Sequence, residues 1–392
     1  MVRRGRFIIQ WGVNILSTCC MLYSSARSSS FCIAMVATRR SHRTSSADLR
    51  SLPPRKRRSL TSAAGRPLAA KKLFAGENPD TERKELFSLY NEDDELVLAK
   101  MVARPSKRNR SPYVADIALI DSGREAIAHV PNLDMGGKCI SGSILLVKAA
   151  TDKKGNKIGA DAVSPKYGTP KCEFHTQLLL VDESNLHPKL YPPTWVGAHP
   201  NLGERIAECW IRNNVLGPVE SVKRQVTIGN MRSDFEITHK DGSKRLVEVK
   251  QVVDTDYYVE APPPDTMKCR FLSSRVPYRR TAIFPWGNSK QKGPDGEAVV
   301  SARAINHVRE LTRLVEERQY KATVLFVVVR GDAEVFRPNA HSCPSFAKYL
   351  RQAEQAGVQV LAKRVMWGEK DHELGSCFDD PSELPIEWPD VV

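Results

Sequence analysis

The sequence has no Cys-x-x-Cys pair. Its nine cysteines fall at irregular intervals, and only Cys172 and His175 come near metal-ligand spacing, with no second pair beside them. That argues against a structural zinc module and a disulfide framework, and it suits a reducing compartment. Excess charge is also missing from most of the chain. Of the 59 Lys and Arg, fifteen lie in residues 1–72 beside a single acid, Asp48, and the remaining 320 residues carry 44 of each sign. The formal charge of +14 therefore belongs to the N-terminal segment, and a pI near 9.4 is no argument that the body binds nucleic acid. No convincing membrane span appears either: residues 7–23 are mostly apolar but interrupted by Gln10 and Asn14, the length of a signal-peptide core.

Residues 24–66 are rich in Ser, Arg and Ala and nearly free of acid, the composition of an organellar transit peptide. A signal-like core followed by such a stretch resembles the two-part leaders of proteins sent to plastids bounded by extra membranes. A mitochondrial presequence is the next reading, and Pro54-Arg55-Lys56-Arg57-Arg58 also fits a nuclear signal. Residues 1–85 are set aside as a disordered targeting leader.

From about residue 86 to 190 short alternating stretches dominate: 95–102, 113–120, 125–130, 143–149 and 173–181, joined by Gly-, Asp- and Lys-rich turns. Five such strands suit a small OB-like barrel, whose surface often binds single strands, or a barrel or sandwich with no ligand. Arg104, Lys107, Arg108 and Arg110 form a basic loop between the first two strands, either solvated or in contact with phosphate.

The second domain, about 191–392, opens with a helix at 201–214 that carries Glu204 and Glu208 one turn apart. Three strands follow: 225–228, 233–238 and 245–253, the last two joined by an Asp241-Gly242 turn. Side chains alternate along a strand, so Glu248 and Lys250 share one face while Val247 and Val249 pack the other. With Asp234 across from them, two carboxylates and an ammonium meet, and a divalent cation is the usual resolution of such a pair. A polar cluster neutralised by Lys250 is the structural alternative. Residues 254–298 read as an irregular insert in which Lys268, Arg270, Arg275, Arg279 and Arg280 are interleaved with Phe271, Tyr278, Phe284 and Trp286. That mix suits a clamp on nucleic acid or a loop packed on the body by its aromatics. A helix at 299–318, a strand at 323–329, a helix at 345–356 and a strand at 359–365 precede a trailing coil. The order predicts a mixed sheet flanked by helices.

Helix, strand with Asp, then strand with Glu-x-Lys resembles the PD-(D/E)XK nuclease superfamily, although D-x13-E-x-K alone is unspecific. The flanks narrow the match. GNMRSDF, RLVEVKQV, VLFVVVRGDAEVFRP and AGVQVLA, with ARP at 103–105, AHVPN at 128–132 and FP at 284–285, resemble the family of the bacterial sugar fermentation stimulation protein, SfsA, over about residues 96–365. The resemblance implies an OB-like N-terminal domain, a PD-(D/E)XK restriction-endonuclease-like C-terminal domain, and DNA binding, with DNA ahead of RNA as partner. It makes Asp234 and Glu248 ligands of Mg2+ or Mn2+ and Lys250 the catalytic lysine. Glu208 becomes the fourth carboxylate with Glu204 as its alternate, and Arg232, Arg303 and His307 also match family positions. A Mg2+-dependent nuclease, a catalytically silent nucleic-acid-binding regulator, and a regulator acting through a protein or sugar partner all remain open. The chain departs from the pattern at Leu133-Asp134-Met135-Gly136, at Ala198-His199-Pro200 and in the insert.

Overall fold

The computed structural model describes residues 83–90, 96–130, 135–267, 270–287, 290–368 and 373–389, all within one compact unit, Gly76–Val392. The targeting readings of residues 1–82, Lys268, and Leu133 with Asp134 lie outside the described residues.

Strand β1 (Glu85–Ser88) joins a sheet formed mainly by the C-terminal half. Strands β2 (Leu96–Ala103), β3 (Val114–Leu119), β4 (Glu125–His129), β5 (Ile144–Ala149) and β6 (Phe174–Val181) pair antiparallel in the order β4-β3-β2-β5-β6. A parallel pairing of β4 with β6, Ala128 opposite Phe174 and His129 opposite His175, closes them into the expected OB-like barrel. Small and branched residues such as Ala115, Ile117, Ala126, Ala128, Leu145 and Val147 fill its interior at a period of two. Strand β7 (Thr194–Gly197) extends β6, and the Gly197 N–H donates to Val329 O at 2.8 Å, carrying the chain onto the second sheet.

That sheet is mixed. Helix α1 (Asn201–Arg212) leads into the antiparallel strands β8 (Val219–Ile228), β9 (Met231–His239) and β10 (Lys244–Val252). Short strands fill the insert: β11 (Asp254–Thr255), β12 (Tyr257–Tyr258), β13 (Leu272–Ser273), β14 (Thr281–Phe284), β15 (Gln291–Lys292) and β16 (Ala298–Val299). Helix α2 (Ala302–Glu316), β17 (Lys321–Val328), β18 (Val335–Pro338), helix α3 (Pro344–Gln355), β19 (Gln359–Trp367) and β20 (Ser376–Glu383) complete the order. The seven strands run β1-β20-β19-β17-β10-β9-β8, with β10, β17 and β19 parallel. One face packs on α1 and the barrel through Phe235, Val247 and Leu325, and the other packs on α2 and α3 through Leu246, Val324 and Phe326. Among the described residues no helix is long and apolar enough to cross a membrane.

Three local expectations are corrected. β8 begins at Val219, six residues before the expected start, because Val-Glu-Ser-Val-Lys-Arg is a half-exposed edge with weak apolar signal. The insert is not wholly irregular: β14 lies parallel to β18 and antiparallel to β11. The expected trailing coil contains β20, paired with both β19 and β1. Its Asp and Pro residues disguise a strand because their partners are remote: the Trp210 indole N–H donates to Asp379 Oδ1 at 2.6 Å, and Arg364 Nε donates to Asp380. Trp210→Phe keeps most of the buried ring and deletes that donor. It is expected to cost about 2 kcal/mol in urea unfolding.

Charges are buried between the barrel and the sheet. The Arg330 guanidinium, 1% exposed, holds Asp332 at 2.6 and 2.7 Å and donates to Val253 O at 3.1 Å. Arg280 pairs with Glu183 at 2.7 Å, stands 3.7 Å from Asp332, and lies 4.3 Å over the Tyr191 ring. Lys138 pairs with Asp254, and Tyr257 donates to Glu183. A Cβ on Gly136, whose φ is +69°, would stand 2.6 Å from an Asp254 carboxylate oxygen, so only glycine fits this turn.

Candidate functional site

The β9–β10 ladder runs from Lys244 opposite Thr238 to Val247 opposite Phe235. Beyond it Asp234 Oδ2 accepts the Val249 N–H at 2.7 Å, so a carboxylate takes a backbone donor and Asp234 is locked against β10. Two residues of alternation bring Glu248 and Lys250 onto the same face as Leu246, the face covered by α2. There Lys250 Nζ donates to Glu248 Oε1, and His307, from α2, makes a second hydrogen bond to that oxygen at 2.6 Å through Nδ1. Glu248 is 2% exposed, and its Oε2 is buried with no hydrogen-bond partner. Arg303, one turn before His307, directs Nε at His307 Nε2 at 3.5 Å. With Arg303 aimed at Nε2, the Nδ1 side of the ring is the one that donates to Glu248.

The two carboxylates are pushed apart in acidity. Burial, then the neighbouring Glu248 charge, raises Asp234 to about 6, against the Val249 N–H and Lys250. Burial alone would also raise Glu248, but the His307 hydrogen bond and the Lys250 ammonium outweigh it and hold the group below its ordinary value. The same surroundings thus lower one carboxylate and raise its neighbour.

The order of the two helix acids is reversed from expectation. Glu208 is engaged by Arg212 at 2.6 Å and Arg224 at 3.4 Å. Glu204 reaches the site instead: Gln225 Nε2 donates to Glu204 Oε2 at 3.0 Å and to Asp234 Oδ1 at 3.4 Å. Gln225 carries no sequence signal and was not expected. Arg232 is exposed on β9. The basic loop belongs to the barrel: Arg104 Nε donates to Pro112 O, and Asp116 accepts from Ser106 Oγ and the Lys107 N–H and pairs with Arg108 at 3.5 Å. Arg110 takes a left-handed φ of 58° in the same loop. Among its described residues the insert does not present a free clamp. Arg280 is buried, Arg275 and Arg279 both hold Glu387, and Arg270 pairs with Asp265. Tyr278 donates to Asp256, Phe284 packs at a steep angle on Phe326 and Phe346 in the α2–α3 core, and Trp286 packs on the barrel-side core.

Cys172 and His175 do not combine, but the fold brings His175 between two other histidines. Ring centres of His129 and His175 are 5.6 Å apart, and those of His175 and His199 are 6.4 Å apart. Burial lowers all three, aided for His175 by His129 and for His199 by both neighbours, which leaves His199 at about 4. Unfolded histidine titrates near pH 6.5. Between that value and the folded ones the unfolded chain binds more protons, so this contribution to stability is complete above about pH 6.5 and is lost as the pH falls towards about 4. Thermal melts at pH 7 and pH 5 should show a smaller acid-induced drop for His175→Gln than for the unaltered chain.

Among the described residues no group of three or more His, Cys, Asp or Glu side chains is spaced to hold a metal ion as it stands. The donors nearest that role are the unpartnered Glu248 Oε2 and Asp234 Oδ1, whose contact from Gln225 is long. An all-oxygen pair of this kind suits a hard divalent cation.

Comparison with known proteins agrees with this architecture. A family model described as the sugar fermentation stimulation protein RE domain matches residues 294–371, which include Arg303 and His307 but stop short of Asp234 and Glu248. A sugar fermentation stimulation protein homolog from Synechococcus elongatus is 28% identical over 254 residues, covering 63% of this chain and 81% of the relative. A homolog from Thioalkalivibrio sulfidiphilus is 29% identical over 260 residues, covering 65% and 84%. The solved structure of Pyrococcus furiosus SfsA in complex with Ca2+ superposes with a TM-score of 0.51 at 18% identity, covering 78% of this chain and 99% of that one. The chain is thus similar in sequence to sugar fermentation stimulation protein homologs, and it shares its fold with the solved SfsA.

Proposed function

We propose that this protein binds nucleic acid, DNA ahead of RNA, and cuts phosphodiester bonds with a divalent cation at a PD-(D/E)XK-like site. The observation that carries the reading is the gathering of Asp234, Glu248 and Lys250 at the end of the β9–β10 ladder, where one Glu248 oxygen is buried with no hydrogen-bond partner. A second support is the SfsA of like fold, which was solved with Ca2+, a cation of the same oxygen preference. Asp234 and Glu248 would hold Mg2+ or Mn2+, and Glu204 stands beside them through Gln225. When bound, the cation would polarise the phosphoryl group and offset the charge that develops on it. The chain's own groups do the rest. His307 keeps Glu248 oriented through Oε1 and leaves Oε2 without a hydrogen bond. Lys250, released from Glu248, would orient the attacking water or hold a phosphate oxygen as a point charge. Arg303, exposed at the start of α2, would contact a backbone phosphate.

The test is cleavage of single-stranded and duplex DNA and of RNA by the purified protein with Mg2+ or Mn2+, against a chelator. Cation-dependent products are expected, and no products with any substrate would overturn the reading. A binding protein without turnover is the second reading, favoured by the engagement of both Lys250 and His307 with Glu248 Oε1. It predicts a salt-sensitive complex that survives chelation and no products.

A further inference from the structure

Gln225 has a left-handed φ of 55° in the middle of β8, which non-glycine residues seldom adopt without a local reason. Strand register does not supply that reason. Arg224 opposite Phe235 and Val226 opposite Ser233 continue the ladder on either side without a shift. What the conformation accompanies is a side chain that joins two acids from different elements: Glu204 of α1 at 3.0 Å and Asp234 of β9 at 3.4 Å, both from the same amide nitrogen.

Resting on the reading of this cleft as a divalent-cation site, we propose that Gln225 is its gate, a positioning residue whose amide holds Glu204 and Asp234 until a cation takes its place between them. An amide NH2 offers two donors and no charge, so it satisfies two carboxylate oxygens without neutralising them. A divalent cation would do both. The surroundings make the exchange a side-chain event. Gly203 N–H donates to Gln251 Oε1 at 3.0 Å, and a Cβ on Gly203 would stand 3.0 Å from Gln251 Cβ, so α1 is seated directly against β10 beside Lys250. Arg224, donating to Glu204 Oε2 at 3.1 Å and reaching Glu208 at 3.4 Å, restrains the helix acids from the open side. Gln225 is left as the group that moves.

Mn2+ binding to the full chain, followed by calorimetry and by the Mn2+ resonance signal, tests this without reference to cleavage. Gln225→Ala removes the amide and should tighten Mn2+ binding about two- to tenfold, the worth of one such hydrogen bond. Gln225→Asn, too short to bridge both acids, should shift the same way if the alanine variant folds poorly. Gln225→Lys places a resident ammonium there and should weaken binding at least tenfold. Mn2+ affinity that Asp234→Ala abolishes but neither Gln225→Ala nor Gln225→Asn tightens overturns the gate and leaves the cation site standing. Absence of Mn2+ binding by the unaltered chain and by Gln225→Ala overturns both.

Discussion

Asp332→Ala is expected to destabilise the protein by about 3–5 kcal/mol, the cost of leaving a buried charge without its partner. Two cations depend on Asp332. Arg330, fully buried, gives it two hydrogen bonds and keeps only the Val253 carbonyl as a hydrogen-bond acceptor without it, and Arg280, 2% exposed, would keep Glu183 as its one paired carboxylate beside the Thr255 hydroxyl. Burial works against the Asp332 charge, yet the Arg330 guanidinium outweighs it and lowers the group to about 2. A carboxylate with a depressed folded pKa contributes stability that is present above about pH 4 and lost as pH falls towards about 2. The unaltered chain should therefore lose this contribution in strong acid, and Asp332→Ala should not. Urea unfolding at pH 7 gives the size of the effect. Arg270→Ala is the control: its partner Asp265 is 88% exposed, and an exposed pair of this kind contributes under about 1 kcal/mol. Adding Arg330→Met to Asp332→Ala should recover part of the loss, because the uncompensated charge is then gone. A loss near 1 kcal/mol in Asp332→Ala would mean that water reaches Arg330.

Glu248→Ala is expected to reduce cation-dependent cleavage by about a thousandfold or more, since a metal clamp supplies several kcal/mol to the transition state and about 1.4 kcal/mol is a factor of ten. The unpartnered Oε2 is what the variant removes from a cation, and Oε1 is what it removes from Lys250 and His307. Asp234 loses the neighbouring charge that helps raise it to about 6, so its pKa should fall. Nucleic-acid affinity in the presence of chelator should be unchanged, because the exposed Arg232 and Arg303 are untouched. Glu248→Gln keeps the shape and an acceptor for His307 but not the charge, and should lose nearly as much activity as alanine. Retention of cleavage in both variants would place the reaction elsewhere.

Much of this was legible because it is local. The five barrel strands follow alternation and turn residues, and the shared face of Glu248 and Lys250 follows from the period of two. Tertiary competition hid the rest. Glu204 and Glu208 are one turn apart and equivalent in sequence, and Arg224 touches both, but Arg212 claims Glu208 while Gln225 joins Glu204 to Asp234. Arg280 reads as a surface cation among other basic residues until Glu183 and Asp332 are seen to meet it. The histidine row joins positions 129, 175 and 199, brought together by barrel closure and by the strand that leaves it. In β20, Asp379 and Asp380 look like loop residues because Trp210 and Arg364 are far away in the chain.

Strand β1 has a practical bearing on how the chain is handled. Glu85–Ser88 covers β20, with Phe87 opposite Cys377 and Ser88 opposite Ser376, and the Arg205 guanidinium lies 3.8 Å over the Phe87 ring. A protease cut or a recombinant start placed after Ser88 would strip this cover and leave β20 with a row of unpaired peptide groups, a template for sticking to other copies. A start at or before Arg83 keeps the lid in place. Solubility and particle size should therefore change abruptly within a few residues of Glu85.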